Sequence, residues 1–188
     1  MKLKFLAPLL LPLALVACSN TYQDASSVQF KDMVSVQQTW EGKRLTGPTI
    51  RLPAKAGTTT ALFKADAYLY GRESSNEKHQ IDTRVNLLVK HTDFGFEYGF
   101  VSINGLESVK IKQERATFRT CDELCVFDQM FSFSIPESVN NNADLVIQLQ
   151  EKANSKHGPV LSLPGTYMTG YEQVQIQNKI ENEAKQSL

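Results

Sequence analysis

Gln80-Ile81-Asp82-Thr83-Arg84-Val85-Asn86-Leu87-Leu88-Val89-Lys90 decides how the chain is read. Ile81, Thr83, Val85, Leu87 and Val89 fall on one face of an extended segment. Gln80, Asp82, Arg84, Asn86 and Lys90 fall largely on the other. Successive side chains of a strand point to opposite faces, so alternation of this length predicts a half-buried β-strand. Upstream, Ala61 to Tyr70 alternates in the same way and is ended by Gly71, with Arg72 to Lys78 as a polar turn. Downstream, Phe94, Phe96, Tyr98 and Phe100 resume the pattern. Its phase shifts at Val101 and Ile103, which reads as a bulge.

Asn104-Gly105 is a two-residue hairpin signal, from which Leu106 to Arg119 pairs back. Phe127, Phe131, Phe133 and Ile135 mark another strand, and Ala143, Leu145, Ile147 and Leu149 one more, before a turn over Asn154 to Pro159. Near the start, Val28, Phe30, Val34 and Val36 alternate in part and suggest a first strand within 28–39. Gly42, Thr46-Gly47-Pro48 and Pro53 to Gly57 act as breakers. Tyr167, Tyr171, Val174 and Asn178 recur at helical spacing after Pro164-Gly165, so a helix over about 166–182 is expected to pack on the sheet. The expected fold is mainly β: an antiparallel sandwich or curled sheet of about seven strands with a C-terminal helix. Successive hairpins favour antiparallel pairing because parallel pairs need long crossovers.

The N-terminus has a different character. Lys2 and Lys4 precede an apolar run from Phe5 to Val16 that contains Pro8 and Pro12, and Leu15-Val16-Ala17-Cys18 follows. The run is shorter than the roughly 20 residues a spanning helix needs and has the layout of an export signal. Leu15-Val16-Ala17-Cys18 resembles the lipobox of bacterial lipoproteins. The resemblance implies cleavage before Cys18, a diacylglycerol on its thiol and acylation of the new amine. Ser19, where an Asp favours inner-membrane retention, implies the outer membrane, with the domain facing the periplasm. Each buried CH₂ contributes about 0.8 kcal/mol and two or more chains hold stably, so such an anchor would be permanent in practice. The chain then divides into a signal over 1–17, a lipidated Cys18 with a polar tether over 18–27, and one β-rich domain over 28–188. Cleavage leaves 171 of the 188 residues, a size that suits one domain.

Charge and cysteines narrow the classes. The leader holds two of the twenty Lys and Arg and none of the twenty Asp and Glu, so the mature chain has a net side-chain charge of −2. A nucleic-acid partner, which calls for a clustered basic patch, is not expected. With Cys18 assigned to lipid, Cys121 and Cys125 remain. In an oxidising compartment they are expected to form a disulfide that pins a hairpin tip and contributes about 2 kcal/mol. Their C-x-x-x-C spacing is not that of a thioredoxin-like pair, and too few His or Cys lie nearby for a zinc site.

No catalytic, metal or cofactor signature stands out. The chain has no G-x-S-x-G, no P-loop and no H-E-x-x-H. His79, His91 and His157 read as solvated surface residues. Asp122, Glu123 and Asp128 read as a polar tip, and Phe94 to Phe100 as core. Tyr167 and Tyr171 are the aromatics expected to be partly exposed, and so the candidates for a binding surface. The expected function is a non-catalytic binding or envelope-assembly module. It would be held at the membrane through Cys18 and act on another envelope protein or a cell-wall component. The alternatives are an accessory lipoprotein of a secretion or envelope-spanning complex and, with least support, a cell-envelope hydrolase.

Overall fold

A computed structural model of the chain describes residues 22–57, 63–73, 81–92, 98–121, 125–136, 139 and 142–186, the side chains of 23, 115–121, 125, 182, 185 and 186 excepted. The lipobox with Cys18, His79, Phe94, Phe96, Asp122 and Glu123 lie outside the described residues, as do the side chains of Cys121 and Cys125.

The described chain begins with a 3₁₀ turn at Tyr22–Asp24 and a helix, α1 (Ser27–Met33). This corrects the strand expected to begin at Val28, and the 3₁₀ turn falls within the stretch expected as a tether. Ser26 caps the helix: its hydroxyl accepts from Gln29 N–H (3.3 Å), and Gln29 Oε1 accepts from Ser26 N–H (2.8 Å). This reciprocal capping box satisfies two backbone donors that a helix start otherwise leaves open. It also sets which apolar residue is used: Phe30 is buried while Val28 is exposed.

Eleven strands follow among the described residues, and every ladder between them is antiparallel. The larger sheet contains β1 (Ser35–Thr39), β2 (Gly42–Thr46), β3 (Ile50–Leu52), β4 (Phe63–Glu73), β5 (Ile81–His91), β8 (Lys112–Cys121) and β9 (Cys125–Ser134). Its order is β1-β2-β4-β5-β9-β8, and β3 joins β4 on the same edge as β2. The smaller sheet contains β6 (Phe100–Ile103), β7 (Val109–Lys110), β10 (Leu145–Gln150) and β11 (Val160–Leu163), in the order β11-β10-β6-β7. The C-terminal helix is present as α2 (Gly165–Gln186).

Several local expectations change for physical reasons. β4 runs through Gly71, which pairs with Thr83. A Cβ there would lie 2.6 Å from the Tyr171 hydroxyl, so Gly71 marks a close approach within a strand and not its end. The phase shift at Val101 and Ile103 is not a bulge. β6 pairs with β10 without a register break, and the shift falls where the chain passes from the larger sheet to the smaller. Asn104 and Gly105 both take positive φ (51° and 75°), as a two-residue hairpin turn requires. The strand returning from it is only β7, and the chain re-enters the larger sheet as β8 after the buried Ile111.

One core unites these parts. Ala65, Ala67, Leu69, Val85, Leu87, Val89, Phe131 and Phe133 line the inner face of the larger sheet. They are buried with Val101, Ile103, Leu145, Ile147, Leu149, Leu161 and Leu163 of the smaller sheet. α1 and α2 join the same core through Phe30, Tyr167, Met168, Tyr171 and Val174. The inner face of the larger sheet is thus covered by helices and by the second sheet.

Candidate functional site

The outer face of the larger sheet carries the side chains that alternate away from this core. Cross-strand register sets them in rows: Tyr70, Arg84 and Ser134 in one, Tyr68, Asn86, Ser132 and Lys112 in the next, and Asp66, Leu88 and Met130 in a third. An open cleft of ≈480 Å³ runs from Asn86 and Ser132 of the second row across Tyr70 and Arg84 to the Arg72–Asp82 pair beyond the first. It is lined by Tyr70, Arg72 and Glu73 of β4, Asp82, Arg84 and Asn86 of β5, Glu114 of β8 and Ser132 of β9.

Asn86 and Ser132 are buried and form the floor. The charges stand at the rim, already paired. Arg84 Nε and Nη2 both donate to Asp82 Oδ2 at 3.1 Å. Arg72 Nη2 and Arg44 Nη2 both reach Glu41 Oε2, at 2.8 and 3.0 Å. Lys112 Nζ lies 2.9 Å from Glu114. Glu73 Oε2 accepts from Lys43 N–H at 3.0 Å. Pairs this exposed are each worth about 0–1 kcal/mol, so a ligand can displace them at low cost. Two arginines against three carboxylates leave the lining slightly acidic, so the cleft suits a neutral or mixed-charge polar ligand and gives no strong pull on an anion. Tyr68, beside it, has its pKa raised by burial and then by the neighbouring Tyr70, so its hydroxyl stays neutral.

The two tyrosines expected at a binding surface are elsewhere. Tyr167 and Tyr171 are 0% and 2% exposed, which corrects that reading. Their helical spacing turns them onto the inner face of the sheet. The Tyr167 hydroxyl donates to Pro48 O (2.8 Å) and accepts from Leu69 N–H (3.0 Å), and the Tyr171 hydroxyl donates to Leu45 O (3.1 Å). Burial pushes both pKa values far above the usual tyrosine range. These are packing residues whose polar tips close a gap in the sheet: Gly47-Pro48-Thr49 separates β2 from β3, and Tyr167 bridges the break on the β4 edge.

His91 is also corrected. It is 1% exposed and not solvated. The parity of β5 continues from Val85, Leu87 and Val89 to His91 and places it on the core face. It stacks on Phe127 (ring centroids 5.4 Å, 17°) and meets Tyr98 edge-on (5.4 Å, 63°). Its Nε2 donates to Gln129 Oε1 at 3.2 Å. Its Nδ1 has no hydrogen-bond partner among the described residues. The cleft and His91 are on opposite faces of the sheet, so this base does not serve it. His157 is exposed, as expected.

Backbone register sets Cys121 directly opposite Cys125 at the end of the β8–β9 ladder. Among the described residues no three His, Cys, Asp or Glu side chains cluster as a metal site would need. No helix among them is long and apolar enough to cross a membrane.

These features define a two-sheet antiparallel β-protein with a helical layer and one sheet face that no described element covers. Compared with models of known protein families, with curated proteins and with solved structures, the chain matches none.

Proposed function

We propose that the chain is a lipoprotein anchored through Cys18 in the outer membrane, facing the periplasm, and that its domain is a non-catalytic module binding another envelope component through the outer face of the larger sheet. The observation that carries the binding surface is the asymmetry of that sheet. Its inner face is buried under both helices and the second sheet, while its outer face holds a ≈480 Å³ cleft with buried amide and hydroxyl groups at the floor. Small-ligand and partner sites favour such concave places with a few fixed polar groups. The lipobox-like Leu15-Val16-Ala17-Cys18 supports the anchor, and the opposed Cys121 and Cys125 suit the oxidising compartment that the anchor implies.

The test is affinity purification of the lipidated full chain from detergent-solubilised envelopes, beside two variants. Arg84→Glu opposes Asp82 at the cleft rim. Val146→Glu changes a 40% exposed side chain that points away from the core on the smaller sheet. The expected result is a stoichiometric partner that survives Val146→Glu and is lost with Arg84→Glu. A partner retained equally by both variants would place the working surface elsewhere.

A further inference from the structure

Ten large apolar side chains are exposed among the described residues, and six of them are Val28, Met33, Val36, Trp40, Ile176 and Ile180. All six belong to α1, the β1–β2 hairpin and α2, the part of the domain that the chain enters first and where it finishes. Isolated exposed apolar residues need no explanation, but a contiguous set does. Ile176 and Ile180 sit one helical turn apart on α2. At 3.6 residues per turn, Ile176 lies about 180° around the helix from Tyr167, so the sheet cannot use it. Together with Lys31 of α1 they line a groove of ≈330 Å³ between the helices. Val28 precedes Lys31 by one turn and extends the same surface. The β1–β2 hairpin, with the 92% exposed Trp40, is tied to the other, sheet-facing side of α2 by Lys43 Nζ donating to Asn178 Oδ1 (3.1 Å) and is not part of this groove.

The place where the chain enters decides what covers this surface. Tyr22, the first described residue, packs against Phe30 of α1 (ring centroids 6.0 Å). Four residue steps separate Tyr22 from Cys18, a reach of at most about 14 Å when fully extended. We infer that the outward face of α1 and α2 rests on the lipid surface that holds the Cys18 acyl chains, with Val28, Ile176 and Ile180 set into the headgroup boundary. The inference rests on the lipid anchor proposed above. The short reach brings α1 to the lipid surface, where amphipathic helices bury their apolar faces about 5–10 Å into the interface. Lys31 can extend its ammonium to the headgroups while its stem covers apolar surface. The orientation then follows from the layering. The helices lie on the inner side of the larger sheet, so a domain resting on them turns its cleft away from the bilayer.

The test places p-benzoylphenylalanine at Ile180, or at Leu88 on the opposite side of the sheet, in the lipidated full chain. Envelopes are irradiated and the adducts identified by mass spectrometry, with the acylation of Cys18 read from the same preparation. The expected result is lipid adducts from position 180 and none above background from position 88. Protein adducts in place of lipid at 180, or equal lipid adducts at both positions, would overturn the docking. If Cys18 is acylated and position 180 gives no lipid adduct, the docking alone fails. If Cys18 carries no acyl group, the anchor and the docking fail together.

Discussion

Replacing Tyr167 by Phe removes one oxygen atom from the junction of α2 with the larger sheet. Leu69 turns both of its backbone polar groups toward the β2–β3 edge. Its carbonyl accepts from Gly47 N–H (2.9 Å), and its N–H donates to the Tyr167 hydroxyl (3.0 Å). Pro48, opposite, has no N–H to offer, and its carbonyl is taken by the same hydroxyl (2.8 Å). In Tyr167→Phe the Leu69 N–H is left unpaired at a site where Leu69 is 1% and Tyr167 0% exposed. A buried donor without a partner costs about 1–3 kcal/mol, and the lost bond to the half-buried Pro48 carbonyl adds about 1 kcal/mol. The expected loss is therefore about 2–4 kcal/mol, which for a domain of this size lowers Tm by roughly 5–15 °C. Thermal and urea unfolding of the intact mature chain measure it. The half-exposed Tyr68→Phe is the control, expected to stay within about 0.5 kcal/mol. A Tyr167→Phe loss no larger than that of Tyr68→Phe would refute the reasoning, since the hydroxyl would then not be closing the gap between β2 and β3.

Four further outcomes are expected. Because burial raises the Tyr167 and Tyr171 pKa values above the ordinary tyrosine value of about 10, the unfolded chain loses these protons first as pH rises. Stability is then fully present below pH 10.0 and falls above it by about 1.4 kcal/mol per pH unit for each tyrosine; Tyr171→Phe should flatten that fall in urea titrations up to pH 11.5, and an unchanged slope would contradict it. Ser26→Ala removes the α1 cap and should cost about 1 kcal/mol in the same unfolding assay, with Ser26→Asp close to wild type. Gly170→Ala should destabilise by about 1–3 kcal/mol despite alanine's better helix propensity, because a Cβ would sit 2.5 Å from Ser27 O and 2.9 Å from Lys31 N, forcing α1 off α2; a gain in Tm would show that the helices are not in contact there. Alkylation of the unreduced mature protein should label neither Cys121 nor Cys125, and two reactive thiols would exclude the disulfide.

The strands with strict alternation were legible because period two reports burial directly. Val85, Leu87 and Val89 of β5 and Leu145, Ile147 and Leu149 of β10 are all buried. The same parity carried one residue further reaches His91, so its burial was legible as well; treating it as a flanking residue hid it. α1 shows two signals in conflict. Val28, Phe30, Val34 and Val36 imitate a strand, while Ser26-x-x-Gln29 is a helix start, and the cap prevails because it satisfies backbone donors that a strand edge here would leave to solvent. Short strands such as β3 and β11 carry too few residues to show a period. Tyr167 and Tyr171 read as amphipathic, but nothing in their spacing told that Leu45 O, Pro48 O and Leu69 N–H would receive their hydroxyls. The cleft was half legible: Asp82, Arg84 and Asn86 were readable as the polar face of β5. Their neighbours Tyr70, Glu114 and Ser132 are brought in by strand order and register, which local sequence does not encode.

The anchor is the claim on which both the binding module and the membrane-facing helices stand. The direct measurement is the intact mass of the mature protein isolated from cell envelopes, with fragmentation of its N-terminal peptide. The account predicts a chain beginning at Cys18 that carries a diacylglycerol on sulfur and an acyl group on the amine, and a Cys18→Ala variant that is neither cut nor lipidated. A mature chain beginning elsewhere, or a Cys18 without lipid, would contradict it.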